Sequence, residues 1–365
     1  MTRVSDVVLA MERIAPPWMA NKGDNIGLQA GNPKTRVRRL MVALDPCVAT
    51  FDAARAARCD MLVTHHPMLK APISLVDESQ PDAALAALAV RRGLAVYAAH
   101  TNLDTVPGGI NDILAKAAGL EKPRFLVETA RDQYLKLVVF VPPKHAAKVR
   151  SAVCEAGAGV IGEYSECSFG VAGTGTFRGS KASNPAVGRS GRLEEVPELR
   201  MELRLTQSVR DAVVSALRRA HPYEEPAFDL HVLDDARKYG LGRLGELGKA
   251  RRVGDIAADM ARFCRSRCTQ ILGDAGRRVK RILIWSGGAC PVASAAANGV
   301  ELVICGELRL YDLLTLQDTG VSGVLLGHAP SEAVVVPPLA GMLRRSLSGV
   351  EVVTFKGESP VLRNA

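Results

Sequence analysis

No two cysteines in this chain form a C-x-x-C pair. The eight thiols are scattered at positions 47, 59, 154, 167, 264, 268, 290 and 305, which excludes a zinc ribbon and a thioredoxin-like motif. Cys264 and Cys268 are four apart in a helical pattern, but no second pair accompanies them. The scatter reads as small buried hydrophobes in a reducing compartment. No apolar run approaches the ~20 residues that span a bilayer. The opening "MTRVSDVVLAMERIAPPWM" lacks the ordered basic, apolar and cleavage regions of a secretory signal, so the expected location is cytoplasmic. Aromatics make up 4% of the residues, and the core must therefore rest on Ala, Val and Leu. Walker A and complete G-x-G-x-x-G strings are missing, as is a G-x-S-x-G elbow; a Ser-His-Asp hydrolase is not suggested. "GTGTFRG" is a lone glycine-rich string and only a weak signal for phosphate binding.

What is present suits a globular protein. At 365 residues the chain accommodates two domains, or one domain with a large insertion. Hydrophobic residues form 47% and charged residues 23%, which argues against extensive disorder. The net charge of +9 gathers in "KARRV", "RFCRSRC" and "GRRVKR" between residues 249 and 281. Such runs make either a solvated basic face or a surface for anionic partners, small or polymeric.

Along the chain, an amphipathic helix from Val4 to Ile14 stops before Pro16-Pro17, and the polar loop "NKGDNIGLQAGNP" follows. Next come a strand "VRRLMVALD", a small-residue helix from about Val48 to Arg58, and the strand "MLVTHHP". A helix from about Asp82 to Arg92 leads to the strand "GLAVYAAHTNLD". This alternation predicts βαβ units and a mostly parallel sheet. The stretch "VKRILIWSGGACPVASAAANGVELVICGEL" repeats the layout of "VRRLMVALDPCVATFDAARAARCDMLVTHH", with Val37 matching Val279 and His65-His66 falling near Gly306-Glu307. The expectation is two related halves of one sheet. Between them the order strand, helix (about Lys144 to Ala156), two strands, helix (about Ser208 to Ala220), strand is the ferredoxin-like layout. The domains are therefore expected as 1–129, an insert 130–235, and a return 236–365, with glycine-rich "ARKYGLGRLGEL" at the junction.

The chemistry concentrates at apolar strand ends. "LVTHHPML" ends a buried strand in His65 and His66, and Pro67 forbids an easy helical continuation at His66. "YAAHTNLDT" offers His100 and Asp104, and "VLLGHAPSE" offers His328 and Glu332. Their four-residue spacing would suit a helix, but Pro330 disfavours helical geometry at Ala329. The expectation is that His328 hangs off the strand end, with Glu332 in the first turn after Pro330. In "KGDNIGLQAG", Asp24 and Asn25 either position a ligand or make a turn. Parallel strand ends converge on one side of a sheet. Mixed imidazole and carboxylate donors suit Zn, Fe, Mn or Co. Five donors exceed one open catalytic zinc and suit two metals bridged by a carboxylate, which would generate hydroxide near neutral pH.

"GDNIGLQAG", "LVTHHPML", "YAAHTNLD", "GLGRLGEL" and "GHAPSE", in this order, resemble the NIF3-like dinuclear metal centre family, often labelled GTP cyclohydrolase 1 type 2 homologues. The resemblance covers nearly the whole chain. "KLVVFVPPKHAAKVRSAVCEAGAGVIGEYSECSFGVAGTGTFRG" and "AHPYEEPAFDL" are similar to the PII/CutA-like insert of its longer members. It implies a three-layer α/β fold of two related halves, interrupted by that insert. It implies two divalent ions per subunit (Zn, Fe or Mn) held by His65, His66, Asp104, His328 and Glu332. His100 is implied as a nearby group or proton carrier, and the assembly as a toroidal homohexamer. Gly23, Ala329-Pro330 and Leu310-Tyr311 depart from common family residues without removing an implied ligand.

The function expected first is a metal-dependent hydrolase in which a bridging hydroxide attacks a small-molecule substrate. For the family label this would be C8 of a GTP-like purine, with loss of formate. The alternative is a non-enzymatic metal-binding regulator or scaffold built as an oligomeric ring. Nucleic-acid binding rests on charge alone, without aromatic interleaving or a DNA-binding motif, and stands well below both.

Overall fold

The computed structural model describes residues 1–357, so the end of the expected second half, to residue 365, lies outside the described residues. Helix α1 spans Val4–Ile14, burying Val4, Val7, Ala10 and Met11 on one stripe. There follow β1 (Gly27–Ala30), β2 (Arg39–Ala43), α2 (Val48–Ala56), β3 (Met61–Thr64), α3 (Pro81–Arg91) and β4 (Ala95–Ala98). A short helix α4 (Thr101–Thr105), α5 (Ile110–Ala118) and β5 (Leu120–Arg124) complete the first part. The insert contributes β6 (Val127–Val141), α6 (Ala146–Glu155), β7 (Ser168–Arg178), β8 (Leu193–Thr206), α7 (Arg210–Ala220) and β9 (Phe228–Leu241). The return runs through β10 (Arg243–Arg252), α8 (Val253–Cys264), β11 (Gln270–Leu272), β12 (Arg278–Trp285), α9 (Val292–Ala297) and β13 (Leu302–Cys305). It closes with α10 (Leu310–Asp318), β14 (Ser322–Leu325), α11 (His328–Ala333), α12 (Val336–Ser346) and β15 (Glu351–Thr354).

The chain forms two compact units, Met1–Ala130 with Tyr239–Ala365, and Arg131–Lys238. The first unit holds two sheets, of order β1-β4-β3-β2-β15 and β11-β14-β13-β12-β10-β5. The expectation of one shared sheet is thereby corrected. The reason is at the edges where the halves would have met: β15 pairs in parallel with β2, and β10 pairs antiparallel with β12. Both inner sheet faces instead bury against shared helices. Val42, Val63 and Tyr97 from one sheet, and Ile284, Ile304 and Val324 from the other, join α1, α5, α8 and α12 in a single core. The outer face of the first sheet packs on α2 and α3 through Met41, Leu62, Phe51 and Ala89. That of the second packs on α9 and α10 through Leu283, Val303, Ala295 and Leu316. Each sheet is thus the middle of three layers.

The internal repeat becomes a register. In the first half Ala43 pairs Thr64 and Thr64 pairs Ala98; in the second Trp285 pairs Cys305 and Cys305 pairs Leu325. His65-His66 therefore correspond to Gly306-Glu307, Asp45 to Gly287, and α4 to α11. Arg243 in "GLGRLGEL" is buried and pairs with Asp112, its Nη1 also donating to Gly240 O and Gly242 O at 2.9 and 2.8 Å.

The second unit has the strand order β7-β8-β6-β9, with β8 antiparallel to both β6 and β7. Its core is Leu137, Val139, Met201 and Leu203 from the sheet, with Val149, Val153, Val213 and Leu217 from α6 and α7. "GTGTFRG" is extended edge strand here, Gly173 opposite Glu198 and Gly175 opposite Val196, not a phosphate loop.

Candidate metal centre

The ends of β3, β4 and β14 each release the chain toward the same point. Backbone pairing continues past β3, with His65 N donating to Ala43 O at 3.3 Å and His66 N to Leu44 O at 3.0 Å, so both histidines are held by the sheet. α4 opens right after His100 and carries Asp104, while α11 begins at His328 and carries Glu332. Pro330 is the third residue of α11, in the first turn, where its missing N–H has no intrahelical partner to lose. The expectation that Pro330 keeps His328 off a helix is corrected: His328 and Glu332 share one helical face, Nε2 to Oε2 at 3.3 Å.

Four imidazoles cluster, with ring centroids 4.9 Å apart for His65–His66, 5.2 Å for His65–His100 and 5.7 Å for His66–His328. Each Nδ1 is committed to a protein acceptor. His65 reaches Ala99 O at 2.9 Å, His66 reaches Asp45 Oδ1 at 2.6 Å, His100 reaches Asp24 Oδ1 at 3.0 Å, and His328 reaches Glu307 Oε1 at 2.9 Å. This outer ring fixes rotamer and tautomer and leaves the Nε2 atoms for the centre. Two groups have donor atoms all within 4.8 Å of one another: His65, His66 and His100, and His66, His328 and Glu332. His66 belongs to both.

The electrostatics describe a site short of positive charge. Glu332 is 4% exposed, yet His328 and His66 hold its carboxyl well below the usual carboxylate range against the effect of burial. Asp104 is also buried, and burial together with the Glu332 charge pushes it up to about 7. Two carboxyls in one buried site resist ionising together. His66 is raised to about 10 in spite of burial, by Asp45 and Glu332, and His328 to about 9, first by its hydrogen bond with Glu332. Protons on these rings supply the positive charge that cations would otherwise bring. Burial drives His65 the other way, to about 4. Its neutral ring presents Nε2 with no hydrogen-bond partner, 3.9 Å from Glu332 Oε1. A buried, anchored imidazole with an unused lone pair is what a metal ligand requires. The donor set therefore fits divalent metal.

All six sequence-derived residues lie around this point, though in different relations to it. His65, His66, His328 and Glu332 form the two tight groups, and His100 joins the first of them. Asp104 belongs to neither group; its Oδ1 accepts from Ser286 Oγ at 3.0 Å beside Glu332. Sequence reasoning missed Asp45 and Glu307 as partners of the rings, although each follows an apolar strand end, which was the available signal. It also missed the seam between the halves. Asn111 Oδ1 accepts from Ser286 N at 3.0 Å, and its Nδ2 donates to Asp104 O at 3.1 Å. Gly287, at φ +62°, is demanded by the site: a Cβ there would lie 2.1 Å from Glu332 Oε1 and 3.2 Å from His328 Nε2.

The loop that follows Gly287 lines a cleft of about 370 Å³, with Ala289 and Cys290 on one side and Arg309, Tyr311 and Asp312 on the other. Several residues of the basic runs of 249–281 are answered by local carboxylates and carbonyls. Arg251 and Arg262 pair with Asp259, Lys280 and Arg281 with Glu246, and Arg278 donates to Ala250 O. Among the described residues no helix is long and apolar enough to cross a membrane.

Comparison with known proteins gives the arrangement relatives. The model of the family described as Duf34/NIF3 (NGG1p interacting factor 3) matches residues 2–360. A Halalkalibacterium halodurans protein named GTP cyclohydrolase 1 type 2 homolog is 34% identical over 323 residues, covering 86% of this chain and 87% of its own. A Mycobacterium tuberculosis protein of the same name is 36% identical over 313 residues, covering 84% and 82%. The crystal structure of a Bacillus cereus protein related to NIF3 superposes with a TM-score of 0.90 at 29% identity, covering 100% of this chain and 99% of that one. Staphylococcus aureus protein SA1388, at 21% identity and a TM-score of 0.73 over 100% and 99% of the two chains, shares the fold.

Proposed function

We propose that this chain, which belongs to the Duf34/NIF3 family, is a metal-dependent hydrolase with two divalent cations at the junction of its halves. The observation that carries the reading is His65 Nε2, fully buried, without a partner and turned toward Glu332. His66, His328 and Glu332 would hold one ion, and His65 with His100 the other; His66 lies within reach of both, but with Nδ1 on Asp45 its single Nε2 lone pair serves one. Asp104, which the family resemblance counts among the ligands, would add a second carboxylate donor beside Glu332. Such a pair of cations lowers the pKa of a bound water toward neutrality and polarises a substrate carbonyl or phosphoryl oxygen. The chain's own contribution is to aim the Nε2 atoms, to keep the first imidazole dry, and to give up the Nε2 protons of His66 and His328 as metal binds. Zn, Fe and Mn suit the mixed N/O donors.

The relatives named GTP cyclohydrolase 1 type 2 homolog support a GTP-like purine as substrate, and the cleft lined by Arg309 and Tyr311 offers a cation and a ring. Metal analysis of freshly purified protein is expected to give two equivalents per chain, and the reloaded protein is expected to release formate from GTP. Absence of formate with each metal would sink the substrate. Absence of bound metal at any supply would sink the whole reading. A PII/CutA-like identity for the insert, a homohexameric ring and a cytoplasmic location complete the proposal; the mass of the assembly in solution tests the ring. If Asp104→Ala abolishes turnover while the ring and its partners are unaffected, the non-enzymatic scaffold is set aside.

A further inference from the structure

We propose that the segment from Asn21 to Gln29, the loop leading into β1 and the first residues of that strand, is the device that positions the imidazole cluster of His65, His66 and His100, with Asp24 aiming His100 and Gln29 holding the turn behind His66. The inference rests on the metal-centre reading above. β1 is paired antiparallel with β4, Gly27 opposite Ala98, so the loop is anchored beside the strand that ends at His100. From there it reaches two strand ends at once.

Toward β4, the Asp24 carboxylate is fully used. Oδ1 accepts from His100 Nδ1 at 3.0 Å, and Oδ2 accepts from Thr101 N at 3.1 Å and Thr101 Oγ1 at 2.5 Å. Because a carboxylate only accepts, His100 must carry its proton on Nδ1 and turn Nε2 to the centre. Toward β3, Gln29 Oε1 accepts from Met68 N and Leu69 N at 2.6 and 3.0 Å, while Asn25 Nδ2 donates to Leu69 O at 2.7 Å. Gln29 Nε2 closes the clamp on Asn25 O at 2.6 Å. The segment after His66-Pro67 has few backbone partners of its own, and these amides take their place.

The other half of the molecule supplies a control. β11 pairs with β14 as β1 pairs with β4. There the loop before β11 bonds backbone through Ser266 Oγ, to Leu326 O at 2.6 Å. His328 takes its orientation from Glu307 instead. The carboxylate that orients the ring thus comes from the loop before β1 in one half and from the segment after β13 in the other.

In Asp24→Asn the amide has one oxygen for three donors. Keeping both Thr101 bonds turns the NH₂ toward His100 Nδ1, which favours the Nε2–H tautomer and puts a proton where a metal would bind. The test is a long-range ¹H–¹⁵N imidazole spectrum of the metal-free chain, followed by titration with Co²⁺. In the wild type, His100 is expected as Nδ1–H; in Asp24→Asn it moves to Nε2–H. One cobalt equivalent then binds about 10–100-fold more weakly, while the second is unchanged. Glu307→Gln should weaken the other equivalent only, and Asp24→Glu should restore the tautomer in part. An unchanged His100 tautomer in Asp24→Asn overturns the proposal, as does equal weakening of both equivalents by both variants. A wild-type chain that takes up no cobalt would instead sink the metal reading, and the tautomer would still decide whether Asp24 aims His100.

Discussion

The two halves of the first unit share a register and divide the chemistry unequally. At equivalent positions after the second strand of each repeat, one half places His65-His66 and the other Gly306-Glu307. After the third strand, one half gives His100 and a helix carrying Asp104, the other a helix that itself carries His328 and Glu332. The first half thus supplies three imidazoles, two of them oriented by Asp24 and Asp45. The second supplies the buried carboxylate and the glycine that makes room for it. A repeated scaffold offers two sets of strand ends facing one core. Divergence between the sets lets the imidazoles of one half meet the Glu332 carboxylate of the other, although Asp104 also comes to lie beside Glu332. Neither half contains a complete tight group around Glu332, since His66 comes from one half and His328 from the other.

The largest expected effect comes from removing the group both halves use. Glu332→Ala leaves His66 and His328 without their common counter-ion. It should cost the chelated protein on the order of 3 kcal/mol in urea unfolding and remove the metal equivalent that His66, His328 and Glu332 hold. An unshifted unfolding midpoint would mean that the halves are not coupled through this carboxylate. Next come the equivalent positions Gly287 and Asp45. Gly287→Ala drives a methyl group into Glu332 at a left-handed φ, for an expected loss of about 1–3 kcal/mol with impaired metal uptake. Asp45→Ala adds no bulk and removes the partner of His66 Nδ1, so metal affinity should fall about 10–100-fold with stability less affected. If the two variants behaved alike, the assignment of room to one half and orientation to the other would be wrong.

The smallest effect lies outside both halves. In the insert, burial lowers the pKa of His221, whose Nε2–H donates to Phe140 O at 3.0 Å while Nδ1 accepts from Tyr223 N at 3.1 Å. The unfolded chain then binds the proton more readily than the folded one. The contribution of His221 is fully present above the unfolded value of about 6.5 and is lost as the pH falls from there through the lower folded value. His221→Gln should flatten the pH dependence of the insert's unfolding over that window. Metal uptake should not move; a change there would show that insert and centre are coupled.

Much of the fold was legible because it rests on local pattern. Helix α1 falls where its apolar stripe predicts, and the repeat aligned Val37 with Val279, as the strand register bears out. The division into two sheets was not legible. It depends on β15 and β10 covering the facing edges, and edge pairing carries no signature in either strand alone. In the site, residues at the ends of apolar strands were readable as a class. Which of them face the centre was not: Asp45 and Glu307 resemble turn formers in sequence, and Pro330 reads as a helix breaker although the first turn tolerates it. Gly287 could be understood only once Glu332 was in place beside it.

By itself the sequence determined the alternation of strands and helices, the duplicated unit, the interrupting β-α-β-β-α-β segment, and the stock of imidazoles and carboxylates at strand ends. These follow from periodicity and residue type, which act over a few neighbouring residues. The tertiary structure alone decided that His66 faces both groups, that His65 is left with an unanswered lone pair, and that Asp104 lies against Ser286 from the opposite half. Those outcomes depend on distances and burial between segments far apart along the chain, and through them on the electrostatic cost of excluding water from charges that only packing brings together.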